Sequence, residues 1–241
     1  MNLAHRITLL IVLLTAPMAR ASDLSTFHTA VADAYGFYRS AMFYLRTGNA
    51  MVAGFELDQM RSRWSALTER YSSAPPDAYS DLPDFAERLR AIEERLAEAA
   101  KAATDGDAQG ASQTLRPIRG ELARTRAEAG VRVFSDCIDE LNEAVAALFV
   151  YRREKPLDAE SADHINDVKS KAAVVSYVLS RCDAQAPEAV RNDEEFRRLI
   201  DGMLPSTAGA FDAADAKDAR GVVNYLRELY SFDRILYLRF G

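Results

Sequence analysis

"ATDGDAQGASQTL" at 103–115 and "AADAKDARGVVNYL" at 213–226 are one device written twice, and together they decide the fold. In each, alanines close a periodic apolar segment and an acidic turn of small residues follows. Asp107 or Asp218 then stands where the N-cap of the next helix belongs. Sliding the chain by about 111 positions lays Asp107 on Asp218, Gly110 on Gly221 and Leu115-Arg116 on Leu226-Arg227. The same offset brings Pro76 to Pro187 and Phe85 to Phe196. Alanine matches arise easily between helices, whereas proline, phenylalanine and aspartate landmarks at turns do not. The pattern predicts an internal duplication, with a first repeat over 22–132 and a second over 133–241.

Away from these turns the apolar spacing is helical and hairpin signals are nearly absent, so the fold class is all-α. Ala50, Ala53, Leu57, Met60, Trp64, Leu67 and Tyr71 repeat at steps of three and four along one seam. Phe85, Leu89, Ile92, Leu96, Ala99 and Ala103 form another. Such seams mark helices packed nearly antiparallel, and the expectation is two tandem antiparallel four-helix bundles. Helices are expected near 23–47, 50–71, 83–104 and 108–130, then 135–154, 160–185, 193–214 and 218–240. "LRTGNA" at 45–50 supplies a glycine stop and an Asn49 cap, and the prolines of "SSAPPDAYSDLPD" at 72–84 forbid helix continuation. Pro117 and Pro205 fall inside predicted helices and should bend them.

Residues 1–21 carry the marks of a cleavable export signal: His5 and Arg6, an apolar run over 7–14, and Ala19-Arg20-Ala21 before Ser22. That run is too short for a membrane span, and no integral membrane segment is expected in the mature chain. The destination implied is the periplasm. The whole chain has a net charge of −6, and loss of Arg6 and Arg20 with the leader makes it about −8. This balance opposes binding to nucleic acid or to an acidic membrane surface. Cys137 and Cys182 are the two cysteines. Under the helix layout one begins a helix and the other ends its antiparallel neighbour, so a disulfide between them is expected in an oxidising compartment.

The signal peptide, the bundle pattern and the acidic turn before each repeat's last helix resemble the cytochrome c′ family of periplasmic four-helix bundles, here in tandem and over most of the mature chain. In that family C-x-x-C-H lies about four turns beyond the acidic turn, with the cysteines attaching haem and the histidine binding iron. The matching positions here are Leu122, Thr125 and Arg126 in the first repeat and Asp233, Leu236 and Tyr237 in the second. None is cysteine or histidine, so thioether attachment of haem is chemically excluded. What the resemblance implies is the fold, and no cofactor is expected. The large residues of "YLRELYSFDRILYLRF" at 225–240 read as the filling of a vacated cofactor position, which would leave any ligand pocket among 23–130.

Candidate polar sites are few. Asp233 falls in the apolar stripe of Val222, Leu226, Leu229, Leu236 and Phe240, and a buried carboxylate demands a partner. Arg152, late on its own helix's apolar face, is the candidate. His28 and His164 lack the spacing of metal or two-metal carboxylate motifs, and no metal site is expected. Phe43 points away from the seam of Phe27, Val31, Ala34, Tyr38 and Leu45 and is expected to pack against the other repeat or a neighbouring loop, the alternative being a partner contact. No nucleophile elbow, phosphate loop or dinucleotide fingerprint is present, so no enzyme is expected. The expectation is a noncatalytic periplasmic bundle that binds a protein partner or small ligand, the alternative being electron transfer through haem or copper held noncovalently.

Overall fold

The computed structural model describes the backbone of residues 16–241 and the side chains from Asp23 onward, Arg153 excepted. Of the export leader expected over 1–21, residues 1–15 fall outside the described residues and 16–21 are described by backbone alone, at the start of the first helix. The chain is all-helical, with no strand among the described residues. Its elements are α1 (Ala16–Arg46), α2 (Ala50–Tyr71), a 3-10 turn (Asp77–Tyr79), α3 (Phe85–Thr104), α4 (Ala108–Leu115) and α5 (Pro117–Glu128). There follow α6 (Phe134–Arg153), α7 (Ala162–Gln185), the short α8 (Glu188–Arg191), α9 (Glu194–Asp215) and α10 (Ala219–Phe240).

Two compact units divide the chain between Val131 and Arg132, each with its own apolar core. In the first, α1 packs on α2, α2 on α3, α3 on α4, and α4 back on α1. In the second, α6 packs on α7, α7 on α9, α9 on α10, and α10 back on α6. Short links between successive helices produce this neighbour-to-neighbour closure, because a helix leaving a tight turn can pack only against the one before it. Every residue of the two seams read from the sequence in α2 and α3 is buried, as are Phe27, Val31, Ala34, Tyr38 and Leu45 of α1. Trp64 is fully buried and donates its indole N–H to the Leu89 carbonyl at 2.9 Å, pinning α2 to α3.

Both acidic turns are built alike. Asp107 Oδ1 accepts the Gly110 N–H at 2.8 Å and Asp218 Oδ1 accepts the Gly221 N–H at 2.9 Å, each capping the helix that follows. The residue before each cap is left-handed: Gly106 at φ 81° in one turn and Lys217 at φ 59° in the other. Glycine takes that conformation freely, whereas a side chain there costs about 1–2 kcal/mol.

The expected single helix over 108–130 is in fact two. Pro117 has no N–H for the preceding turn and its ring crowds it, so α4 stops at Leu115 and Pro117 becomes the first residue of α5. Pro205 behaves differently, since α9 runs through it unbroken. Just beyond it Ser206 Oγ donates to the Gly202 carbonyl at 2.9 Å and Thr207 Oγ1 to the Met203 carbonyl at 2.8 Å, so both hydroxyls are satisfied within the helix. Glycines on either side of Pro205 receive rings from α10. A Cβ on Gly202 would lie 2.5 Å from Phe232 Cζ, and one on Gly209 would lie 2.4 Å from Tyr225 Cε1. The two glycines sit two turns apart on α9, matching the spacing of the two aromatics on α10.

Candidate functional site

On α10 the stripe read from the sequence is the buried one: Val222, Leu226, Leu229, Asp233 and Leu236 all face the core. Its aromatics do not fill the interior as expected. Tyr225 is 38% exposed, and Tyr230 and Phe232 are only partly buried, with Tyr230 stacked on Phe149 at 4.0 Å. Tyr225 and Phe232 fill the notches at Gly209 and Gly202, and leucines occupy the centre.

Asp233 is buried, but its partner is not Arg152. Asn142 Nδ2 donates to Asp233 Oδ2 at 2.7 Å, while the Arg152 guanidinium lies over the Phe149 ring at 5.3 Å. The reason is axial register. Packing α6 antiparallel against α10 sets the C-terminal part of α10 beside the N-terminal half of α6, and Arg152 lies about 15 Å farther along α6 than Asn142.

In the first unit, Leu122, Thr125 and Arg126 lie on one wall of a small cavity, as residues three and four apart on a helix share a face. Phe27, Val31, Phe85 and Ile92 supply its apolar side; His28, Tyr79 and Arg88 supply polar groups. Its free space is about 20 Å³, room for about one water. Tyr79 stacks on Phe85 at 4.9 Å, and its hydroxyl meets His28 Nε2 at 3.1 Å. Arg88 reaches Asp84 at 2.9 Å, Glu128 at 2.5 Å and Thr125 Oγ1 at 3.3 Å. The arginine thus ties α3 to α5. Phe43, on α1, is 39% exposed, rests edge-on against Tyr44 and carries Arg46 over its face.

A larger concavity lies in the second unit, not among 23–130 as expected. Cys137 and Cys182 form a disulfide with Cα atoms 5.6 Å apart, tying the N-terminal turn of α6 to the last turn of α7. Beside it Arg132, Val133, Phe134, Cys137, Arg181, Gln185 and Pro187 border a solvent-open groove of about 450 Å³. Arg132 and Arg181 both pair with Glu140, one on each carboxylate oxygen. Arg181 Nη2 also lies 3.9 Å from Cys137 Sγ. Asp136 Oδ2 accepts the Val133 N–H at 2.9 Å and so orders the entry to α6. Sequence reading placed the cysteines but missed the groove, because two stretches far apart in the chain, 132–137 and 181–187, build it; Arg181 beside Cys182 was a signal.

At the far end of α6, Tyr151 is fully buried and donates its hydroxyl to Asp167, which also pairs with Lys171. His164 sits edge-on to the Tyr151 ring at 5.9 Å, its Nδ1 accepting the Asp158 N–H at 3.2 Å. Burial, then the hydrogen bond to Asp167, pushes the Tyr151 hydroxyl from 10.0 up to about 12. Hydrogen bonds from Lys171 and Tyr151 hold the Asp167 carboxyl below its ordinary range. A raised phenol favours folding fully below pH 10.0 and loses that contribution as pH climbs through about 12. Tyr151→Phe is therefore expected to cost about 1–2 kcal/mol at pH 8. Urea titrations at pH 8 and 11.5 check this: the gap between wild type and variant should narrow at the higher pH.

Among the described residues no group of three His, Cys, Asp or Glu side chains is arranged to hold a metal ion, and no helix is long and apolar enough to cross a membrane. No protein-family model, curated protein or solved structure matches the chain.

Proposed function

We propose that this is an exported, noncatalytic binding protein made of two duplicated four-helix bundles, and that its ligand is a small molecule held by the second bundle. The groove beside Cys137 carries this reading, because it offers about 450 Å³ in which two arginines and Gln185 stand beside Val133, Phe134 and Pro187, a size within the range of small-ligand sites. The duplication is supported by the matched caps at Asp107 and Asp218, and by the 3-10 turn and α8 falling at the same offset before α3 and α9. An oxidised cysteine pair accords with an exported chain.

Native mass spectrometry of protein recovered gently from the exported fraction tests the reading, with a stoichiometric small-molecule adduct expected that is released on denaturation. Bare protein, together with no thermal shift from any member of a broad metabolite panel, would overturn it. A second reading, docking of a partner protein, is favoured by Met51 and Phe55, one turn apart on α2 and 75% and 67% exposed. A co-purifying protein lost on Phe55→Glu would support that reading. The haem or copper alternative draws nothing from the geometry of His28 and His164, which lie in different units and are engaged by Tyr79 and the Asp158 backbone. A strong near-violet absorbance band with stoichiometric iron would reinstate it.

A further inference from the structure

We propose that the groove of the second unit selects a small carboxylate with an apolar body; this rests on the small-ligand reading and names its chemistry. Two guanidiniums border the groove, Arg132 and Arg181, and they share the one carboxylate of Glu140. Each guanidinium meets Glu140 through its Nη2, and a guanidinium carries five N–H donors, so both retain hydrogen-bonding capacity beyond Glu140. The N-terminal turn of α6 opens beside the same groove at Phe134 and adds the positive end of a helix dipole. Asp136 keeps its charge in that turn while accepting the Val133 N–H. A ligand carboxylate set between the arginines takes up their remaining donors, with guanidinium geometry favouring a planar oxyanion over a halide.

The rest of the wall specifies the body of the ligand. Val133, Phe134, Pro187 and the Cys137 side chain are apolar, and Gln185 is the single uncharged polar group. A free inorganic anion would leave this surface wet, whereas an aryl or alkyl chain of several carbons would cover it and gain from burial. The disulfide holds α6 and α7 at a fixed separation here.

Phenylacetate and its uncharged counterpart phenylacetamide, titrated into the full-length oxidised protein and followed by backbone and Gln side-chain amide shifts, test the proposal. Saturable shifts at Val133, Phe134 and Gln185 are expected for the acid, with the amide at least about tenfold weaker. Arg181→Gln should weaken the acid about tenfold. Arg132→Gln, whose side chain is 72% exposed and makes no core contact, should act in the same direction if the first variant fails to fold. Glu140→Gln is the sharper test, because removing the internal competitor should tighten phenylacetate binding. Equal affinity for acid and amide, or weaker binding by Glu140→Gln, overturns the carboxylate assignment. If the amide alone binds at these residues, the small-ligand reading stands and only the assignment falls.

Discussion

Replacing Cys137 and Cys182 together by alanine is expected to lower the stability of the second unit by about 3–4 kcal/mol. The bridge spans a sequence separation of 45 residues and shortens the unfolded chain accordingly. The folded ends lose little beyond it, because α6 and α7 also meet through the Arg181–Glu140 ion pair. Trp64, the only tryptophan, lies in the first unit's core, so its fluorescence isolates that unit while far-ultraviolet circular dichroism reports both. The denaturant midpoint by circular dichroism should drop and the fluorescence midpoint should hold. Thiol titration of the unfolded, unreduced protein should find no free cysteine, and two free thiols per chain would remove the basis of the prediction.

Asn142→Ala should cost about 2–4 kcal/mol, since it strips a donor from a buried carboxylate and leaves a void. Asp233 is 1% exposed between Leu229 and Leu236, where water cannot substitute for the lost amide. Asn142→Leu combined with Asp233→Leu is expected to recover most of the loss, because an apolar pair of similar volume needs no hydrogen bond. Urea midpoints of the two single variants and the double variant give the coupling directly. Additive single effects, or a double variant less stable than Asn142→Ala, would show that the carboxylate is held by groups other than Asn142.

The sequence carried the helices because helical periodicity is a local property. Each residue of the seam from Ala50 to Tyr71 lies on one face at 3.6 residues per turn, and burying that face is the only way to remove it from water. Stops were equally local: Gly48, Gly106 and the prolines at 75 and 76 act through their own dihedral angles. The disulfide was legible for a related reason, since two cysteines at adjoining ends of antiparallel neighbours have little choice. Even Asp233 announced its burial, because a helical stripe fixes which way a side chain points.

What it faces there was decided elsewhere. Asn142 rather than Arg152 meets Asp233 because contacts across two helices depend on their axial register, which no single helix encodes. The two prolines show the same division: Pro117 begins a new helix, whereas Pro205 stays inside α9, which is packed against α7 and α10. The aromatics of α10 read as core filling by composition, yet the notches at Gly202 and Gly209 draw Phe232 and Tyr225 to the rim. The groove is the clearest case. Arg132 precedes α6, Arg181 and Gln185 end α7 and Pro187 precedes α8, so the site exists only where packing gathers helix ends that the chain keeps dozens of residues apart.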